Sequence, residues 1–325
     1  MPGTLTDLFA WGVVALFLLA AVVEWVGRSR GGRRELARRL AAAAWVGFGG
    51  FWLVLFPHFA FTQKSYVEGV LSAVAVPACV YVGYLLWQGR DSLFVLSRAV
   101  AVMGLVYLPF ETIPAITLLG LDLPAPRRVL IEVVAAQTGA AMGWLGYHPE
   151  LLRGPEGYWS TYQFVTDGGH QLRFTVLLAC TGLGSMAIFV GLAAAVRAPL
   201  RRKLTAVAIA VPIIWALNIV RTTFIGIAFG KQYLHVFPDV VLLLFGASDP
   251  YKVSFFLSDR VISQVLAVVA LIGVTYLVVR RLPELLTVIE DVLYVVTNEE
   301  YDLRRELDLP RDPATEPPGR GSADD

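Results

Sequence analysis

Long apolar runs, separated by short polar stretches, follow one another along most of the chain. A membrane span needs about 20 mostly apolar residues, and seven stretches qualify: roughly 8 to 26, 41 to 61, 68 to 87, 99 to 118, 174 to 196, 205 to 229 and 260 to 279. The pattern predicts an all-α polytopic membrane protein with about seven transmembrane helices. Residues 1–282 form its membrane domain, and residues 119–173 form a long loop on the outer side. The first run has no basic stretch before it and no small-residue cleavage pattern after it, so it reads as a retained span and not as a signal peptide.

Within the long loop, RRVLIEVVAAQTGAAMGWLG (127 to 146) has helical periodicity and is fairly apolar. Counted as a crossing, it would put the basic loops before and after it on opposite faces, so the reading is an amphipathic helix on or near the outer surface. The next stretch, YWSTYQFVTDGGHQLRFTV (158 to 176), sets aromatic and β-branched residues around Asp167-Gly168-Gly169, which predicts a small β-hairpin leading into the fifth span. Residues 283–308 carry an apolar stripe at 285, 286, 289, 292, 293 and 296, too broken by charge to insert, which predicts a cytoplasmic amphipathic helix. Residues 309–325, PRDPATEPPGRGSADD with the Leu309 before them, are Pro-rich and charged, and disorder is expected.

Composition agrees with the pattern. Of 325 residues, 56% are hydrophobic and only 16% charged, and the mean hydropathy of +0.63 is too apolar for a soluble domain of this size. A formal net charge of +1 gives no footprint for nucleic acid, and none is expected as a partner. Charge fixes orientation instead. Six Arg (28, 30, 33, 34, 38 and 39) crowd between spans one and two, and Arg90, Arg98, Arg197, Arg201, Arg202, Lys203, Arg280 and Arg281 fall on the same side by parity. Positive loops face the cytoplasm. The C-terminus is then cytoplasmic, and the loops near 62 to 67, 119 to 173 and 230 to 259 face outward.

Polar groups in hydrocarbon are costly, so each calls for a reason. Cys180, in ACTGLGSMAIF, lies about six residues into the fifth span, roughly 9 Å below the outer surface at 1.5 Å per residue. Arg221, in NIVRTTF, lies roughly 12 Å deep in span six by the same rise. Arg260, in LSDRVISQ, is expected at the outer edge of span seven. Three separate helices thus deliver a thiol and two guanidinium groups to the outer third of the bilayer. Nearby cations favour the thiolate, the nucleophilic form. Thr181, Gly182, Gly184 and Ser185 are small enough to admit a close neighbour, and Asn218 shares the helical face of Arg221 at i−3. Glu111, between Pro109 and Pro114 in span four, reads as a partner for Arg221. Cys79 reads as a buried small hydrophobe, and Glu24 as an interfacial acid. The histidines, 58, 148, 170 and 235, have no metal-ligand spacing, and neither a metal nor another cofactor is expected.

The segment ACTGLGSMAIF, followed by an Arg late in the next span and another at the start of the one after, resembles the exosortase and archaeosortase family of membrane cysteine transpeptidases, in particular its archaeosortase A branch. The resemblance covers the chain from about span two to span seven. It implies Cys180 as nucleophile with Arg221 and Arg260 completing a triad, whereas bacterial members have His in the third position. It further implies secreted substrates of the S-layer type carrying a C-terminal Pro-Gly-Phe motif, a transmembrane helix and a basic cluster. The tail is removed and the new C-terminus passes through a thioester to a membrane lipid. Arg, with a pKa above about 12, is a poor proton carrier, which leaves His235, Tyr233 or water to protonate the leaving amine.

A transporter or channel is the alternative of another class, since intramembrane Arg and Glu with proline-broken helices also mark substrate paths. It predicts no dependence on the thiol. A retinal protein is excluded because residues 261 to 279 hold no Lys, and an aspartyl intramembrane protease because no Asp falls within a predicted span. GLGS at 182 to 185 departs from the rhomboid Gly-x-Ser pattern.

Overall fold

A computed structural model describes residues 4–27, 31–62, 66–118, 120–166 and 168–306. The predicted tail, 309–325, and Asp167 of the hairpin turn lie outside them. The chain opens with four long helices, α1 (Thr4–Gly27), α2 (Gly31–Pro57), α3 (Tyr66–Trp87) and α4 (Phe94–Thr112); α2 runs on through a π-helical turn, His58–Thr62. A two-stranded ribbon, β1 (Ile116–Leu118) and β2 (Leu121–Leu123), precedes α5 (Pro126–Trp144). Three antiparallel strands follow in the order β3 (Glu150–Arg153), β4 (Trp159–Val165), β5 (Gln171–Thr175), with Tyr162 opposite Phe174. Helices α6 (Leu183–Ala195), α7 (Leu200–Gly230), α8 (Pro238–Phe245), the short α9 (Val253–Phe255), α10 (Ser263–Val279), α11 (Leu286–Thr297) and α12 (Leu303–Glu306) complete the order.

Among the described residues, six helical runs are long and apolar enough to cross a membrane: those of α1 to α4, α7, and the run Pro250–Val279 that ends in α10. The fifth predicted crossing, 174 to 196, is different. Its first residues are the end of β5 and a 3₁₀ turn, Leu178–Thr181, and only the 13 residues of α6 form an apolar helix. At 1.5 Å per residue that is about 20 Å, short of the ~30 Å hydrocarbon core. Phe174 and Val176 are spent on the core beneath the sheet, and an apolar run cannot by itself tell buried strand from buried helix.

Inside the bilayer lipid tails are as apolar as Leu, so helices must gain their contact from close packing and buried polar pairs. One cluster packs Phe17, Trp45, Leu86 and Ala101 where α1 to α4 meet, and Trp45 Nε1 donates to Ser97 Oγ at 2.9 Å. A second packs Met186, Phe189, Ala210, Ile214 and Val278 between α6, α7 and α10. Ala and Gly at the crossings let backbones approach.

Ion pairs tie the basic loops together at one end of the bundle: Arg38 to Asp91 at 2.7 Å, Arg98 to Glu24 at 2.8 Å, Arg197 to Glu24 at 3.8 Å and Arg202 to Glu284 at 3.0 Å. Glu24, near the end of α1, is buried between two cations. Helix α11 docks at this end, with the Arg90 guanidinium 3.3 Å from the Tyr294 ring centroid and Ser92 Oγ donating to Asp291.

The opposite end carries α5 and the strands. The apolar face of α5 (Ile131, Val134, Ala135, Thr138, Met142) is covered by the three-stranded sheet and the last turns of α7. Buried Tyr162 donates its hydroxyl to the Ala135 carbonyl, and burial pushes that phenol up to about 12, so it stays a donor at neutral pH. Arg127, at the first turn of α5, reaches Glu111 at 2.9 Å and Glu156 at 2.8 Å. Glu111 is thus the partner of Arg127, not of Arg221; Pro114 stops α4 just beyond it and sets it at the edge of the loop region.

Candidate active site

Cys180 sits in the 3₁₀ turn Leu178–Thr181 between β5 and α6. Its amide N–H donates to Leu177 O at 2.8 Å, and Thr181 Oγ1 donates back to Leu178 O at 2.7 Å, which closes the turn locally. Gly182 then takes a left-handed conformation (φ 74°) that redirects the chain into α6. A Cβ at this position would lie 3.1 Å from Asn218 Cγ, so Gly serves both the turn and the approach of α7. The thiol is half-buried, at the start of a helix whose positive end favours an anion.

Helix α7 grips this turn from the side. Asn218, Arg221 and Thr222 lie on one face at i, i+3 and i+4. Asn218 Nδ2 donates to the Cys180 carbonyl at 2.7 Å, and Thr222 Oγ1 approaches the same oxygen at 3.4 Å while donating to Asn218 O at 2.8 Å. Asn218, Thr181 and Gly182 thus hold the backbone around Cys180 in place.

Arg221 Nη2 donates to Asp259 Oδ1 at 2.8 Å, with the side chains 30% and 22% exposed. Its Nε is buried without a hydrogen-bond partner among the described residues. The guanidinium is therefore anchored on one side through Nη2, while the side chain as a whole stays partly exposed. Asp259 and Arg260 are neighbours in a π-helical turn, Phe256–Ile262, and such turns locally re-aim side chains. Arg260 is half-buried ten residues into the run Pro250–Val279, roughly 15 Å from its start, while Arg221 is nine residues from the end of α7, roughly 14 Å. The two arginines share a depth, and Arg260 lies well inside its helix, not at the edge. The charged side chains near enough to act on the Cys180 thiol include Asp259, Arg221 and Glu68.

Sequence reasoning missed two of these. Asp259 falls one residue outside the predicted seventh span, so the statement that no predicted span holds an Asp passed over it; the helix in fact begins at Pro250. Glu68, in the first turn of α3, looks in sequence like an ordinary helix-start acid. His235 and Tyr233 are exposed in the loop after α7, and Tyr233 bonds the hydroxyl of Tyr147 at 3.0 Å.

The family model for transmembrane exosortases matches residues 4–248. The chain is 63% identical over 309 residues to archaeosortase A of Haloferax volcanii, covering 95% of this chain and all of that one. It is 44% identical over 300 residues to archaeosortase A of Natronomonas pharaonis, covering 90% of this chain and 89% of that one. No solved structure matches.

Proposed function

The chain belongs to the transmembrane exosortase family, and from that membership and the geometry around Cys180 we propose that it is a membrane-embedded cysteine transpeptidase. It cleaves the C-terminal Pro-Gly-Phe sorting signal of secreted, S-layer type proteins and joins the new C-terminus to a membrane lipid. The site faces the outside of the cell. The single observation that carries this reading is the turn at Cys180, clasped by Asn218 and set beside the anchored Arg221.

The Cys180 thiolate attacks the scissile carbonyl, an S–C bond forms, and the C–N bond breaks as the departing amine takes a proton. A lipid hydroxyl then attacks the thioester, an O–C bond forms, and the C–S electron pair returns to sulfur while the hydroxyl proton is released. Arg221, held by Asp259 and partly exposed, offers Nη N–H groups to the oxyanion that develops at the carbonyl. Arg260 adds positive charge that favours the thiolate. Neither arginine moves a proton. Water enters from the loop side to do so, since His235 and Tyr233 are held out in solvent.

The test is Cys180→Ala, and separately Cys180→Ser, in a host making a secreted protein with the Pro-Gly-Phe signal. Loss of both trimming and lipid linkage is expected. Substrate still trimmed and lipid-linked by the Ala variant defeats the reading and returns the transporter alternative.

A further inference from the structure

A cavity of about 560 Å³ opens at the end of the bundle that carries the sheet. It is built from the same three elements that deliver the reacting groups, followed a turn or two outward. Thr175 ends the strand that leads to Cys180, Phe229 lies two turns beyond Arg221 on α7, and Phe255 and Phe256 precede Asp259 and Arg260. Thr62, Phe229 and Phe255 each belong to the terminal turns of a membrane-crossing run, so the cavity lies at the level of lipid headgroups.

Its wall is a chain of rings: Phe229 on Phe255 (5.7 Å), Phe255 on Phe256 (6.1 Å), and Phe256 stacked on Phe245 (4.6 Å, 11°). Its mouth carries two exposed cations, Arg173 and Lys252; Lys252 has no ion pair among the described residues. The acid there, Asp249, spends Oδ1 on the Tyr251 N–H at 3.0 Å. The mouth is also fixed in shape, because the His170 ring stacks on Tyr251 (4.1 Å, 8°) and Gln232 Nε2 donates to Tyr251 O at 3.0 Å. A pocket of this size, walled by rings and lined elsewhere by polar groups, suits a small amphiphile, and cations at its mouth suit a phosphate on it.

We propose that this cavity is the seat of a membrane lipid with an anionic phosphate headgroup, Arg173 and Lys252 holding the phosphate and the phenylalanines holding the upper part of the lipid. The inference rests on the reading of the chain as a lipid-transferring enzyme for its purpose: the seated lipid is the acceptor, poised outward of the Cys180 thioester. Binding itself requires no chemistry at the thiol.

The experiment therefore uses the full chain bearing Cys180→Ala, in detergent, titrated with phosphatidylglycerol, phosphatidylcholine or inorganic phosphate and read by thermal midpoint and by native mass spectrometry. Phosphatidylglycerol is expected to bind at least tenfold more tightly than phosphatidylcholine and to raise the midpoint, with inorganic phosphate far weaker than either. Arg173→Gln with Lys252→Gln should weaken phosphatidylglycerol binding at least tenfold. Ala247→Trp, which fills the cavity and leaves every charge in place, should do the same, and decides the matter if the charge variant does not fold. Equal binding of the two lipids, phosphate alone matching phosphatidylglycerol, or binding indifferent to Ala247→Trp would overturn the proposal. No phosphatidylglycerol binding by the chain with its cavity unaltered, in a protein whose Cys180 parent still cleaves, would remove this seat and leave the proposed cleavage intact; trimming that survives Cys180→Ala would remove the cleavage reading and leave the seat.

Discussion

Asp259 shows how a single carboxylate can decide what a guanidinium is able to do. Unanchored, Arg221 would sample many rotamers; bonded to Asp259 Oδ1, it holds one orientation. A hydrogen bond between charged groups contributes about 1.5 to 3 kcal/mol, so Asp259→Asn should slow substrate cleavage roughly 10- to 100-fold. Cys180 alkylation over a pH series is the second readout, because a merely structural loss would not move its profile. Arg221→Lys keeps the charge but loses the planar fork, and a fall in cleavage of about 100-fold is expected, the scale of losing one oxyanion donor. Gly182→Ala forces a left-handed L-residue, costing roughly 1 to 2 kcal/mol, and pushes on Asn218; thermal midpoint and cleavage rate should both fall. Cys180, Arg221 and Asn218 were legible in sequence because polar atoms in an apolar run stand out and helical spacing groups them. Asp259 was not, because it hides at a boundary, and boundaries are where periodicity carries least information.

Element by element, legibility followed length. The long helices announce themselves through sustained apolar runs, and the β4–β5 hairpin through β-branched and aromatic residues around glycines. β3 is only four residues and the β1–β2 ribbon two sets of three, too short for alternation to register. The fifth predicted crossing is helical only over α6, because β5, the Cys180 turn and α6 share one apolar run, though they do three different jobs. The covering of α5 depends on partners far away in sequence, Glu156 and the strands. Burial alone would work against the charge of Arg127, but Glu156 and Glu111 outweigh it and hold its pKa above the usual arginine value. Removing Arg127 strands two half-buried carboxylates against each other. Arg127→Leu should cost about 3 kcal/mol, a drop of roughly 6 to 12 °C in thermal midpoint. Adding Glu111→Gln and Glu156→Gln to Arg127→Leu should restore part of it. An unchanged midpoint in Arg127→Leu would mean that α5 is held by its apolar face alone.

Across the whole molecule, charge and hydropathy divide the labour. Ion pairs gather the basic loops at one end, while α5, the strands and the approach to Cys180 occupy the other. The positive-inside rule predicts that the basic end is cytoplasmic. With Cys79→Ala and Cys180→Ala as background, Asp122→Cys should react with an impermeant maleimide on intact cells, and Gln88→Cys only after permeabilisation. The reverse pattern would invert the molecule and deny Cys180 access to a secreted substrate. The short α6 follows directly on the turn that presents the Cys180 sulfur, and the proposed chemistry depends on that turn. The most direct test of that chemistry is the intact mass of the purified protein after incubation with a secreted protein ending in the Pro-Gly-Phe signal. The account predicts an adduct equal to the trimmed substrate on Cys180, released by hydroxylamine and missing from Cys180→Ala. Full cleavage with no adduct, or an adduct that survives in Cys180→Ala, would contradict it.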